Sequence, residues 1–96
     1  MAKENEIITI LKQHKESLLG KYPIRSIGLF GSVSRDEDTS QSDVDILVEF
    51  DGNIGIRFID LAEEFEMLLQ RNVDLASINA IKPRYYQSIK DDIIYV

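Results

Sequence analysis

The stretch "GSVSRDEDTSQSDVDILVEF", Gly31 to Phe50, decides how this sequence is read. Its last seven residues, Val44 to Phe50, are apolar and rich in β-branched side chains, as a strand requires. Side chains of a strand alternate, so Val44, Ile46, Val48 and Phe50 fall on one face and Asp43, Asp45, Leu47 and Glu49 on the other. Aspartate is depleted in strands, and an ionised carboxylate in a low-dielectric setting is costly unless paired or metal-bound. Two aspartates at the mouth of a buried strand therefore need a chemical reason.

Working outward, "IRSIGLF" (Ile24 to Phe30) is a second strand, ended sharply by Gly31-Ser32. Before it, Ile7, Leu11 and Leu18, with Ile8 and Leu19 beside them, recur at helical spacing. Gly20 is placed to cap that helix, and Tyr22-Pro23 breaks the chain. Beyond Phe50, "DGN" (Asp51 to Asn53) makes a turn. Phe58, Leu61, Ala62, Phe65, Leu68 and Leu69 then trace an amphipathic helix expected to end near Arg71-Asn72. "VDLAS" (Val73 to Ser77) reads as a third strand, and Pro83 opens a short final helix through Tyr86 and Ile89. The closing "IIYV" reads either as that helix's last turn or as a small strand. The order predicts one α/β (α+β) domain over residues 1–96, a small mixed sheet of about three strands flanked by helices.

Composition bounds the function. Ninety-six residues, 44% hydrophobic and 29% charged, suit one modest core. The absence of cysteine excludes disulfides, thiolate metal sites and cysteine nucleophiles. Any metal must be held by oxygen ligands or by His14. No apolar run approaches the roughly 20 residues that span a bilayer, and no basic-then-apolar leader opens the chain, so a cytoplasmic protein without membrane contact is expected. A net charge of −6 argues against long nucleic acid as a partner, since such binders carry basic patches. A nucleotide carried with divalent metal stays compatible, because the metal cancels much of the phosphate charge.

Two residues apart on a strand, Asp43 and Asp45 project about 7 Å apart on one face. A third carboxylate, Asp74 of "VDLAS", can close the site from a neighbouring strand. Hard oxygen ligands of this kind suit Mg²⁺, which keeps waters and takes further ligands from substrate phosphates. Such a site implies phosphoryl or nucleotidyl transfer with two Mg²⁺ ions. Gly31-Ser32 then reads as a phosphate seat, glycine allowing close backbone approach and a helix opening at Ser32 offering free N–H groups. Plainer readings stand beside these. Asp43 suits an Asx-turn, Ser32 an ordinary N-cap, and Arg35 a surface ion pair with Asp36 or Asp38. Glu63, Glu64 and Glu66 read as the wet face of the long helix, and His14 as a packing residue. Tyr85 and Tyr86 fit either the core or a partner-facing patch.

Gly31-Ser32, ten intervening residues, Asp43-Val44-Asp45 running into "ILVEF", and Asp74 in the later "VDLAS" together resemble the minimal nucleotidyltransferases of the DNA polymerase β-like superfamily. The likeness covers nearly the whole chain and implies the nucleotidyltransferase fold. It implies that Asp43 and Asp45 bind both Mg²⁺ ions, that Asp74 completes the site and assists deprotonation of the acceptor hydroxyl, and that Gly31 and Ser32 hold the phosphates of ATP. Arg35 matches the arginine that follows the Gly-Ser pair, although Asp36 stands where the family usually has glycine. Many stand-alone members are similar to antitoxins that use ATP to attach AMP to a tyrosine of a HEPN-type toxin ribonuclease. Two alternatives remain open: a binding module that neutralises its partner by occlusion, and a small-molecule nucleotidyltransferase whose acceptor pocket a homo-oligomer would build.

Overall fold

The computed structural model describes residues 3–31 and 43–96, with the side chains of residues 3–5 left aside. The chain runs as α1 (Lys3–Lys21), β1 (Ile24–Phe30), β2 (Val44–Phe50), α2 (Arg57–Leu69), β3 (Val73–Ser77), α3 (Pro83–Ile89), a 3₁₀ turn (Lys90–Asp92) and β4 (Ile94–Tyr95). The strands form one mixed sheet in the order β3-β2-β1-β4. Among the described residues the sheet has four strands against the expected about three, because the C-terminal "IIYV" takes the strand alternative and joins the sheet: β4 lies antiparallel to β1, with Gly28 opposite Tyr95 and Leu29 opposite Ile94.

β1 and β2 are antiparallel, registered so that Phe30 faces Asp45. β2 and β3 are parallel, and parallel neighbours need a crossover, which α2 supplies. The face of the sheet carrying Ile27, Leu29, Val44, Ile46 and Val48 is fully buried and joins Leu11 and Leu18 of α1 and Leu61 and Phe65 of α2 in one core. That layer is what the two helical stripes and the alternation of β2 encode.

Local stops differ in part from the sequence reading. Gly20 lies inside α1, which continues through Lys21 and keeps its helical bonding as far as Tyr22 N–H to Leu18 O, 3.0 Å. Pro23, which has no N–H to donate, ends it. α2 stops at Gln70, a residue in left-handed backbone (φ 56°, ψ 39°) whose N–H caps Glu66 O at 2.8 Å. A left-handed cap is usually announced by glycine, so the expected end near Arg71-Asn72 falls two to three residues beyond Leu69, the last residue of α2.

Two glutamates placed on the wet face of α2 have partners. Glu64 receives Lys21 Nζ at 2.7 Å and the Tyr22 hydroxyl at 3.0 Å, tying α2 to the end of α1. Glu66 accepts the Val73 N–H at 3.0 Å, holding the start of β3. Arg57 adds to the first junction, stacking 4.8 Å over the Tyr22 ring and donating to the Lys21 carbonyl. The Lys21 ammonium holds the Glu64 carboxyl below its ordinary range, against the opposing effect of burial.

Candidate functional site

The second face of the sheet is where the aspartates fall. Val73 and Leu75 of β3 pack against the core, so Asp74 between them points the other way, as does Asp45 between the buried Val44 and Ile46. The parallel register makes Asp45 and Asp74 direct neighbours across the strand pair. Asp43 stands exposed immediately before β2, where Val44 N–H donates to Asn72 O at 2.9 Å and extends the pairing towards the strand ends. Asp45 is half-buried and Asp74 exposed.

Gly31 closes β1 against this pair. Its backbone is left-handed (φ +73°), and a Cβ added there would sit 2.0 Å from Asp45 Oδ2 and 2.9 Å from its Cγ. The Asp45 carboxylate thus lies directly on the Gly31 backbone, which no larger residue permits. Both the turn and the close approach require glycine here. Phe30 and Leu47, on this same face, are almost completely buried yet lie outside the main core cluster, giving the carboxylates an apolar floor. Phe30 is the strand partner of Asp45, a role the sequence reading does not single out. Its only signal there is its place before Gly31.

The remainder of this face is occupied by the C-terminal segment. Gly28 lies beneath Ile93 and the Tyr95 ring, where an added Cβ would meet Ile93 Cγ2 at 2.6 Å. Burial and a hydrogen bond with Tyr86 push the Tyr95 hydroxyl's pKa up, with Glu49 adding to the effect. Of the two tyrosines left open by sequence, Tyr86 belongs to this packed segment and Tyr85 is exposed. Ser32, Arg35 and Asp36 lie outside the described residues.

Among the described residues, no group of three or more His, Cys, Asp or Glu side chains is gathered as a cage for a metal ion. The donor set nevertheless suits Mg²⁺, which takes carboxylate oxygens such as those that Asp45 and Asp74 offer from adjacent strands. Also among the described residues, no helix is long and apolar enough to cross a membrane.

A helix-backed mixed sheet that pairs carboxylates across β2 and β3 beside a glycine turn defines the class of protein, a small α/β domain with an acidic site at its strand ends. Residues 11–96 match the family model described as nucleotidyltransferase domain, and the chain belongs to that family of enzymes. Among its relatives, a Methanocaldococcus jannaschii protein assigned as a protein adenylyltransferase is 45% identical over 96 residues, covering 96% of each chain. The protein adenylyltransferase MntA of Thermococcus cleftensis is 39% identical over 92 residues, covering 95% of this chain and 93% of the relative. Among solved structures, a toxin–antitoxin complex crystallised with AMP-PNP contains a chain that superposes with TM-score 0.64 at 28% identity. That match covers 88% of this chain and 64% of the other, so this chain spans a little under two-thirds of its length.

Proposed function

We propose that the protein transfers AMP from ATP to a hydroxyl of a partner protein, a tyrosine of a HEPN-type toxin ribonuclease, and so acts as its antitoxin. The observation that carries this reading is the register pairing of Asp45 with Asp74 beside a glycine whose backbone touches the Asp45 carboxylate. The near full-length relatives named for protein adenylylation and the neighbour crystallised as a toxin–antitoxin with AMP-PNP support the choice of nucleotide and acceptor.

In this reading Asp43 and Asp45 hold two Mg²⁺ ions and Asp74 completes the set. Bound Mg²⁺ supplies Lewis acidity to the phosphate oxygens and lowers the proton affinity of the acceptor oxygen. The turn of Gly31 and Ser32, with Arg35, holds the triphosphate beside the Asp45 carboxylate, which itself fills the space a side chain at Gly31 would take. Asp74 accepts the proton as the hydroxyl oxygen attacks the α-phosphorus. The bond from that phosphorus to the bridging oxygen breaks, and pyrophosphate leaves. The apolar floor of Phe30 and Leu47 keeps the base of the site dry, which strengthens every charge interaction above it.

The test is isotopic. With Mg²⁺ and the proposed HEPN-type toxin partner, purified, label from α-³²P-ATP should become attached to the toxin and label from γ-³²P-ATP should not. Transfer of the γ label would make the protein a kinase and overturn the reading.

A further inference from the structure

The outward face of α2 carries apolar side chains that the fold does not use. Leu61, Phe65 and Leu69 fill the core from one side of this helix. On the other side, Ile56 is 88%, Ile59 62% and Met67 63% exposed. At 100° per residue these three line up with two exposed acids: Glu63, four residues after Ile59 and four before Met67, and Asp60, which flanks Met67 and Ile56 on the same face. The surface a partner meets is therefore apolar side chains set among carboxylates, with Glu63 at the centre. Among the described residues Glu63 has no ion-pair partner, in contrast to Glu64 beside it. Isoleucines and a methionine gathered on a solvent face mark an interaction surface rather than scatter.

The central acid decides what can cover it. A second copy meeting α2 antiparallel about a two-fold axis would register Ile59 against Met67 and bring Glu63 onto its own symmetry mate. That pairing buries two like charges with nothing to compensate them, and each copy also carries a net charge of −6. A partner that places a Lys or Arg between apolar side chains meets all four positions at once.

We propose that this stripe of α2 is the docking surface for the acceptor protein, and that it receives an apolar ridge with a basic residue at its centre. The inference rests on the reading that the acceptor hydroxyl belongs to a partner protein. It adds a place of attachment set on α2, away from the aspartates of β2 and β3. α2 covers the face of the sheet opposite Asp45 and Asp74, so the docked partner must reach round the sheet at the end where α2 leads into β3. A partner that does so raises the effective concentration of its hydroxyl at the site, and the small domain need not recognise the tyrosine itself.

The experiment uses the full chain and the proposed HEPN-type toxin partner, with calorimetry for affinity and intact mass for AMP transfer. Two variants are compared with wild type: Ile59→Ser combined with Met67→Ser, and Glu63→Lys. Both change solvent-facing positions, so melting temperature and its rise with Mg-ATP should match wild type. The double variant should weaken toxin binding about 30-fold or more, as loss of an apolar anchor pair does. Glu63→Lys should weaken it about tenfold and abolish the rise in Kd that added salt causes for wild type. Toxin affinity within twofold of wild type for both variants, or no measurable binding by wild type, overturns the proposal. So does a wild-type homodimer that these variants convert to monomer, which would make α2 a contact between copies. The two readings separate cleanly: variants that bind poorly while wild type binds tightly but adds no AMP leave the docking surface standing and sink the adenylyl transfer, whereas equal AMP transfer by variants and wild type at limiting toxin does the reverse.

Discussion

Replacing Gly31 with alanine tests how the candidate site is assembled. The substitution carries two separable costs. Left-handed backbone at φ +73° costs an L-residue about 1–2 kcal/mol. The new Cβ would also lie 2.0 Å from Asp45 Oδ2, so the carboxylate must rotate away from its position, for about 1 kcal/mol of off-rotamer strain. Together these amount to about 2–3 kcal/mol, which for a domain this size lowers Tm by on the order of 10–20 °C. The second cost depends on the carboxylate. In an Asp45→Ala background the two closest of these contacts, Oδ2 and Cγ, are gone, and the Cβ at position 45 lies at 3.3 Å, a contact that a shift of a few tenths of an ångström relieves. Urea unfolding of wild type, both single variants and the double variant closes a thermodynamic cycle whose coupling should be about 1 kcal/mol, the double being more stable than the sum of the singles implies. Additivity within about 0.3 kcal/mol would refute the claim that the Asp45 carboxylate rests on the Gly31 backbone.

Mg²⁺ with ATP at about 100 times its Kd should stabilise the folded protein by about 2.7 kcal/mol in thermal denaturation, and Asp45→Asn should remove that gain. Without metal, Asp74→Asn should raise stability by about 0.2–1 kcal/mol, because like charges directly opposed across strands are unfavourable. Acid should act through Glu64. Its carboxyl is held below the ordinary 4.5 by Lys21 and Tyr22, so its contribution is complete above that value and lost as pH falls through the lower folded-state pKa. Lys21 is half-exposed, so the contribution is about 0.5 kcal/mol, and Glu64→Gln should flatten the acid limb of a Tm-against-pH curve by that much. Phe65→Ala, at a fully buried site between α2 and the sheet, should cost about 3–5 kcal/mol in urea unfolding.

The elements with strong periodicity are legible in the sequence alone. The alternation in Val44–Phe50 and the helical stripe from Phe58 to Leu69 each report a buried face, and both lie where expected. Asp43, Asp45 and Asp74 stand out because carboxylates are costly in strands. Their adjacency depends on the parallel register of β2 and β3, which residue patterns do not carry. β4 is harder to see because a two-residue strand is defined by its partner, Gly28 and Leu29, rather than by its own composition. The Gln70 cap and the roles of Glu64 and Glu66 are hidden for the same reason: each depends on groups brought close by the fold, namely Glu66 O for Gln70, Lys21 and Tyr22 for Glu64, and Val73 for Glu66. The outward Ile56, Ile59 and Met67 give no signal of their own, because apolar residues in an amphipathic helix are credited to its buried side.

Intact-mass spectrometry of the partner protein separates adenylyl transfer from occlusion. The proposed HEPN-type toxin partner, incubated with Mg-ATP and wild-type protein, should gain about 329 Da for each AMP attached. With an Asp43→Asn and Asp45→Asn double variant it should gain nothing and stay toxic. A toxin that gains no mass with either protein, yet is neutralised as completely by the double variant as by wild type, would contradict the account and leave occlusion as the mode of action.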